Sequence, residues 1–349
     1  MKRLNKNDLL AVLKGWSKAY TVMCPTIKPQ GDRVFDTFGE STFTLDYGKP
    51  SLPPKSFFLP HSEVIFEVIN GAYNEVTNKE RHLLFGLRAC DMMGLLQSHS
   101  FMTRDNDDPS YRARLESTLT VVMACAGPQN ATCFCTTTRS GPWAAGGFDL
   151  QLYDLGDSFL VEIGTDRGAG LASAATFTDV DEAQAQERLA VFRRKALADI
   201  PEVPEIREAM TRLMSGASDE VWEHFGRKCI VCGGCAFVCP TCTCFNVYDQ
   251  ASDKDSGVRI KAWDACLYGG FTREASSHNP RPTQAARLQR RHEHKLLYYN
   301  ATDIQAALCG CVGCGRCSDY CPVHIGTLEV ARAIVQKQDT STGGDHDRE

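Results

Sequence analysis

The sequence predicts an α+β protein, a mixed α/β sheet domain followed by a helical domain, and three observations carry that expectation. Short β-branched and apolar runs alternate with turns over 1–170, the stretch 171–227 is rich in Ala, Glu, Arg and Leu without a cysteine, and beyond it two cysteine blocks enclose a spacer of good helix formers. At 349 residues the chain exceeds one compact core. The expected division is an N-terminal α/β domain (1–170), a helical linker region (171–227), a helical domain (228–336) and a polar tail (337–349) with the composition of a disordered segment.

The elements follow in order. Residues 1–20 read as an amphipathic helix, with Leu9, Leu10, Val12, Leu13 and Trp16 apolar and Lys2, Arg3, Lys6, Lys14 and Lys18 polar. This stretch lacks the continuous apolar centre and small-residue cleavage site of a signal peptide. The runs 56–68 (around Pro60), 82–87, 119–124 and 148–163 read as strands, the last a hairpin turning at Gly156 and Asp157. Run 82–87 leads into Arg88, Ala89, Cys90 and Asp91, and run 119–123 leads into Cys125. Both thiols lie at strand C-terminal ends, where ligands collect in open α/β sheets, so they face one site if the strands are neighbours. Further on, 181–198 has the spacing of an amphipathic helix, Pro201, Pro204 and 215–218 interrupt the pattern, and the domain boundary is expected near 216–228. In the spacer, 283–299 carries no Gly or Pro and 301–308 continues with good helix formers.

Composition narrows the function. A hydrophobic fraction of 43%, a charged fraction of 23% and a net charge of −5 are those of an ordinary globular chain and show no basic excess for nucleic acid. No apolar run approaches the roughly 20 residues that cross a bilayer. A cytoplasmic protein without a membrane or nucleic-acid partner is expected. Seventeen cysteines with no export signal leave metal as their use, because a reducing compartment does not sustain disulfides. No GxGxxG or GxxxxGK[ST] cradle for nucleotide phosphates is present.

The first block is Cys229, Cys232, Cys235, Cys239 and Pro240, and the second is Cys311, Cys314, Cys317, Cys321 and Pro322. Each reads CxxCxxCxxxCP. Three thiolates at this spacing wrap one [4Fe-4S] cubane, and the fourth reaches the neighbouring cluster. Crossing the blocks gives cluster one as Cys229, Cys232, Cys235 and Cys321, and cluster two as Cys311, Cys314, Cys317 and Cys239, which makes 228–336 a helical dicluster ferredoxin domain. Zinc sites usually take two cysteines from each block rather than four and a proline. Glycines 233, 234, 310, 313 and 315 let the chain curl around sulfide.

Cys242, Cys244, Cys266 and Cys309 are left over, as supporting or buried thiols, and Trp263 and Asp264 precede Cys266 in a segment suited to covering a cluster. In the N-terminal domain Cys90, Cys125, Cys133 and Cys135 suggest a third [4Fe-4S] cluster, with zinc, redox-active thiols and simple burial as alternatives. His292 and His294 lie in the basic stretch 287–295, read as a solvated helix face whose charge also suits thiolate clusters or an acidic partner. His61, His82, His99, His224, His278 and His324 have no ligand spacing.

Together RACD at 88–91, CFC at 133–135, CIVCGGCAFVCPTCTC at 229–244, WDAC at 263–266 and CVGCGRCSDYCP at 311–322 resemble the iron–sulfur electron-transfer subunit of soluble [NiFe] sulfhydrogenases (the beta subunit) and its counterpart in anaerobic sulfite reductase. The resemblance implies a relay with no catalytic residue of its own. It would pass single electrons between a flavin-containing subunit that handles NAD(P)H and a catalytic subunit, either the [NiFe] hydrogenase subunits or a sirohaem sulfite reductase subunit. Two other readings stand beside it: a reductase catalytic in itself, which needs a substrate pocket, and a structural zinc protein, which would be colourless.

Overall fold

The computed structural model describes residues 1–78, 80–217, 219–298 and 308–342, with side chains up to Gln336. A mixed sheet of eight strands organises the N-terminal half: β1 (Lys2–Asn5), β2 (Thr21–Ile27), β3 (Arg33–Thr37), β6 (His82–Leu87), β7 (Thr118–Met123), β8 (Leu150–Asp154), β9 (Ser158–Ile163) and β10 (Phe177–Asp179). Their order is β10-β1-β9-β8-β7-β6-β2-β3. β2, β6, β7 and β8 run parallel as neighbours, and the flanking strands pair antiparallel.

Side-chain alternation explains how β6 and β7 take the centre. Leu83 and Phe85 with Leu119, Val121 and Met123 face one core, which helix α1 (Leu9–Trp16) covers with Leu9, Val12, Leu13 and Trp16. Leu84, Leu87 and Val122 face the other, against Met92, Leu95 and Met102 of α2 (Ala89–Thr103). Burial on both faces is the usual state of parallel strands. The strands expected at 82–87 and 119–124 are therefore neighbours, and the hairpin turning at Gly156 and Asp157 is β8–β9. At the N-terminus the expected continuous helix begins instead as β1, because Leu4 is buried between β9 and β10 and the strand completes their pairing.

Helix α3 (Pro109–Ser117) leads into β7, and α4 (Asp166–Leu171) follows β9. α5 (Glu182–Asp199) starts at Asp181, whose carboxylate accepts from Gln184 N–H at 3.0 Å. α6 (Pro204–Met214), α7 (Asp219–Lys228), α9 (Gln284–Glu293) and α11 (Thr327–Thr342) gather around Trp222, Phe225 and Ile334. Between them lie the short helices α8 (Gly234–Phe237) and α10 (Arg316–Asp319) of the two cysteine blocks. The span 171–227 is thus divided: β10 joins the large sheet while α6 and α7 pack into the second half. α11 continues to Thr342, so 337–342 are helical rather than a disordered tail, and 343–349 lie outside the described residues. Of the helical run expected over 301–308, residues 301–307 lie outside them too.

The second half also contains strands that its expected helical character did not include. β11 (Phe245–Ala251) and β12 (Gly257–Trp263) form a hairpin that pairs through β12 with β4 (Ser62–Ile69), itself hairpinned with β5 (Ala72–Glu75). This four-stranded sheet, order β11-β12-β4-β5, ties the two halves together. Buried charges secure it: Lys261 lies 2.9 Å from Glu63 and 2.6 Å from Asp108, and Arg114 also reaches Glu63. Lys261→Met leaves Glu63 with Arg114 alone, and an unfolding midpoint lowered by an equivalent of about 2 kcal/mol is expected in urea titration. An unchanged midpoint would mean that strand pairing alone holds the halves.

Candidate metal centres

Cys90, Cys125, Cys133 and Cys135 line one cavity beyond the C-terminal ends of β6 and β7, and Cys314 of the second block lines it with them. The N-terminal partners serve this geometry residue by residue. Arg88, at the start of α2, lays its guanidinium 4.0 Å from the Tyr47 ring centroid, donates through Nε to Gly48 O at 2.9 Å and hydrogen-bonds the Cys125 thiol. Cys90 sits in the first turn of α2. Asp91, fully buried, accepts a two-pronged bond from the equally buried Arg316, with Nη1 to Oδ1 at 2.6 Å and Nη2 to Oδ2 at 3.2 Å.

The loop carrying Cys133 and Cys135 docks on the second block. Phe134 N–H donates to Gly313 O at 2.9 Å, and Thr132 Oγ1 donates to Asp319 Oδ1 at 2.6 Å. Lys49 bridges the same two parts: its Nζ lies 4.0 Å from Cys133 Sγ, pairs with Asp319 at 3.2 Å and donates to Cys314 O. A side chain added at Gly141 would come within 2.9 Å of Cys135 Sγ, so the thiol's back is closed.

Burial is the main cause that pushes the Cys90, Cys125 and Cys135 thiols up. Neighbouring thiolates add to it: Cys314 beside Cys90, Cys133 beside Cys125, and Cys125 and Cys133 beside Cys135, with Arg88 opposing at Cys125. Four thiolates do not share so apolar a space unless cationic charge lies among them. The donor set fits an iron–sulfur cluster, whose iron supplies that charge. Among the described residues no three His, Cys, Asp or Glu converge tightly enough for a single ion, and the corners of a cubane are farther apart than the ligands of one zinc.

The two blocks repeat one backbone. Val231 and Gly233 bracket Cys232 with φ of 58° and 73°, and Gly313 and Gly315 bracket Cys314 with 60° and 71°. Gly233 and Gly315 then open α8 and α10. The left-handed conformation at Val231 strains a β-branched residue, the kind of outlier that clusters at functional sites. Burial is the main cause that pushes Cys235 up to about 11, with Cys317, Cys229 and Cys321 beside it. Cys314 is likewise pushed up to about 11 by burial, with Cys239 and Cys317 beside it and Arg316 and Lys49 opposing. Thiols of the two blocks are therefore interleaved. Several accept hydrogen bonds that favour a thiolate: Gln284 Nε2 to Cys229 Sγ at 3.2 Å, Ile325 N–H to Cys321 Sγ at 3.2 Å and Thr327 N–H to Cys317 Sγ at 3.4 Å.

Arg291 is the strongest sign that negative charge belongs here. It is 2% exposed, its Nη2 donates to Cys235 O at 2.9 Å, and its Nε and Nη1 have no hydrogen-bond partner among the described residues. The groups around it are Cys235, Cys317, Cys242 and Cys239. A buried guanidinium whose strongest charged neighbours are thiols is costly unless they are charged or hold a charged group. Lys55 is buried similarly, its Nζ donating to Cys242 O at 2.8 Å and Ala236 O at 3.1 Å and lying 4.3 Å from the Trp263 ring centroid. The stretch 287–295 is thus not a solvated face: Arg291, His292 and Lys295 are buried, and burial lowers His292 to about 3. Sequence reading offered no signal for Lys49 or Lys55, which lie far along the chain from the thiols they meet.

Each surplus thiol has a hydrogen-bond partner. Cys242 hydrogen-bonds Cys239, and Cys244 hydrogen-bonds Cys266, a bond that is the main cause lowering Cys244 to about 6 while Cys266 is pushed up. Cys309 is buried and donates to Cys311 O at 3.5 Å. Cys232 alone among the cysteines is exposed, beside exposed Ile230 and Val231. No helix among the described residues is long and apolar enough to cross a membrane.

A family model described as a 4Fe-4S dicluster domain matches residues 228–325, which implies two [4Fe-4S] clusters in that region. Among curated proteins, sulfhydrogenase 2 subunit beta of Pyrococcus furiosus is 30% identical over 290 residues, covering 82% of this chain and 84% of the relative. No solved structure matches.

Proposed function

The chain belongs to the family of the sulfhydrogenase beta subunit, an iron–sulfur electron-transfer subunit of hydrogenase type, and from that premise we propose a relay of single electrons through three [4Fe-4S] clusters. Cys229, Cys232, Cys235 and Cys321 hold cluster one, Cys311, Cys314, Cys317 and Cys239 hold cluster two, and Cys90, Cys125, Cys133 and Cys135 hold the third. When bound, such clusters take up and release one electron at a time. The observation that carries the proposal is Cys314, which lines the N-terminal cavity while lying beside Cys239 and Cys317. A thiol of cluster two thereby borders the N-terminal ring, and the third centre adjoins the second.

The chain's own residues hold and insulate the path. Arg291 places permanent positive charge beside the thiols of both blocks and so favours the reduced, more negative state, whereas burial lowers the pKa of Lys55 and the neighbouring Cys242, Cys239 and Cys244 thiolates oppose that loss of charge. Burial of the N-terminal ring keeps water from it, whereas exposed Cys232 gives cluster one the outward edge where an electron enters or leaves. The partners in this reading are a flavin-containing subunit that handles NAD(P)H and the [NiFe] subunits of a cytoplasmic hydrogenase. Anaerobic affinity purification from the host is expected to bring down [NiFe] and flavin subunits together. A sirohaem partner would move the assignment to sulfite reductase, and a chain that evolved hydrogen or reduced sulfite alone would overturn the relay.

A further inference from the structure

We propose that Cys244 and Cys266 form a redox-active dithiol that closes to a disulfide, a two-electron store beside the single-electron centres. Its placement follows from the β11–β12 hairpin. Cys244 precedes β11 and Cys266 follows β12, the register pairs Phe245 with Trp263 at the open end, and Asp264 N–H donates to Cys244 O at 3.0 Å. Asp264 Oδ1 then accepts from Ala265 N–H at 2.7 Å, turning the chain so that the two thiols hydrogen-bond.

Thiols this close are not two corners of one cubane, which are farther apart than a hydrogen bond. Neither is required by the proposed ligand sets, whose positions are filled. Cys266 is buried with Cys235 of cluster one nearby, while Cys244 is half-buried at the foot of the largely exposed β11. Electrons therefore have a neighbouring acceptor, and protons have a side open to water. On oxidation two S–H bonds break and one S–S bond forms, releasing two protons to solvent and two electrons, one after the other, to the [4Fe-4S] centres. Reduction reverses each change. The inference rests on the reading of these centres as clusters.

The test uses the full chain with its clusters, kept anoxic and poised with mediators over a range of potentials, then acid-quenched and alkylated with N-ethylmaleimide for peptide mass spectrometry. A linked, unlabelled Cys244–Cys266 pair is expected at high potential and two added labels at low potential, the ratio changing tenfold per about 30 mV as a two-electron couple requires. C266A is expected to keep the wild-type iron and sulfide content and to label at Cys244 at every potential. Labelling of both thiols at all potentials overturns the proposal, as does loss of iron from C266A, which would make Cys266 a ligand. If C266A does not accumulate, the wild-type titration decides alone. Absence of iron from the wild-type chain would instead strike the cluster reading, whatever the labels show.

Discussion

Asp91→Ala is expected to lower the stability of the chain by about 3–5 kcal/mol, the cost of leaving one partner of a buried ion pair charged and alone. Asp91 and Arg316 are both 0% exposed at the side chain. Without the carboxylate, the hydrogen bond that Arg316 keeps among the described residues is the one to Pro50 O at 2.8 Å. The pair joins α2, whose first turn carries Cys90, to α10 in the second cysteine block, so the loss should also loosen the wall between the N-terminal thiol cavity and the second block. An anoxic guanidinium titration measures it as a shift of the first unfolding midpoint. Replacing both partners, Asp91→Leu with Arg316→Met, should recover most of the loss, because no charge is then stranded. A shift worth less than about 1 kcal/mol in D91A would show that this pair does not lock the two parts.

Gly313→Ala should remove a metal centre without touching a ligand. Gly313 has φ of 60°, which costs an L-residue about 1–2 kcal/mol. An added Cβ would also lie 2.6 Å from the carbonyl carbon and oxygen of Phe134 and 2.7 Å from Cys135 N. Those neighbours are backbone, so the Cys133–Cys135 loop must move away from the second block. The iron content is expected to fall from about twelve per chain to about eight or fewer. Gly270→Ala is the control: nothing lies within 4 Å of its added Cβ, and iron should be unchanged. Full iron in G313A would mean that the loop does not depend on this contact.

What the sequence disclosed follows from how local each signal is. β6, β7 and the β8–β9 hairpin were legible because their apolar runs and turn residues are contiguous, and the approach of Cys90 to Cys125 followed from strand ends alone. The β11–β12 hairpin was missed because β11 is exposed along nearly its whole length. Its order comes from pairing with β12 and, through it, from β4, which no periodicity reports. The stretch 287–295 misled because charge usually marks a wet surface; Arg291 and Lys295 are buried by thiols supplied from other segments. Lys49 and Lys55 were invisible for the same reason, their meaning residing in contacts with Cys314 and Cys242 across the fold. Cys314, by contrast, was recognised by motif but only as a ligand of one ring. Its place in the wall of the N-terminal cavity emerges once the 133–135 loop is seated on it.

The most direct measurement is iron and acid-labile sulfide per chain in protein purified without oxygen, read with the EPR spectrum after dithionite reduction. About twelve of each, with a signal from interacting reduced clusters, is the predicted result. About eight would remove the N-terminal centre, and colourless protein without iron or signal would contradict the account as a whole.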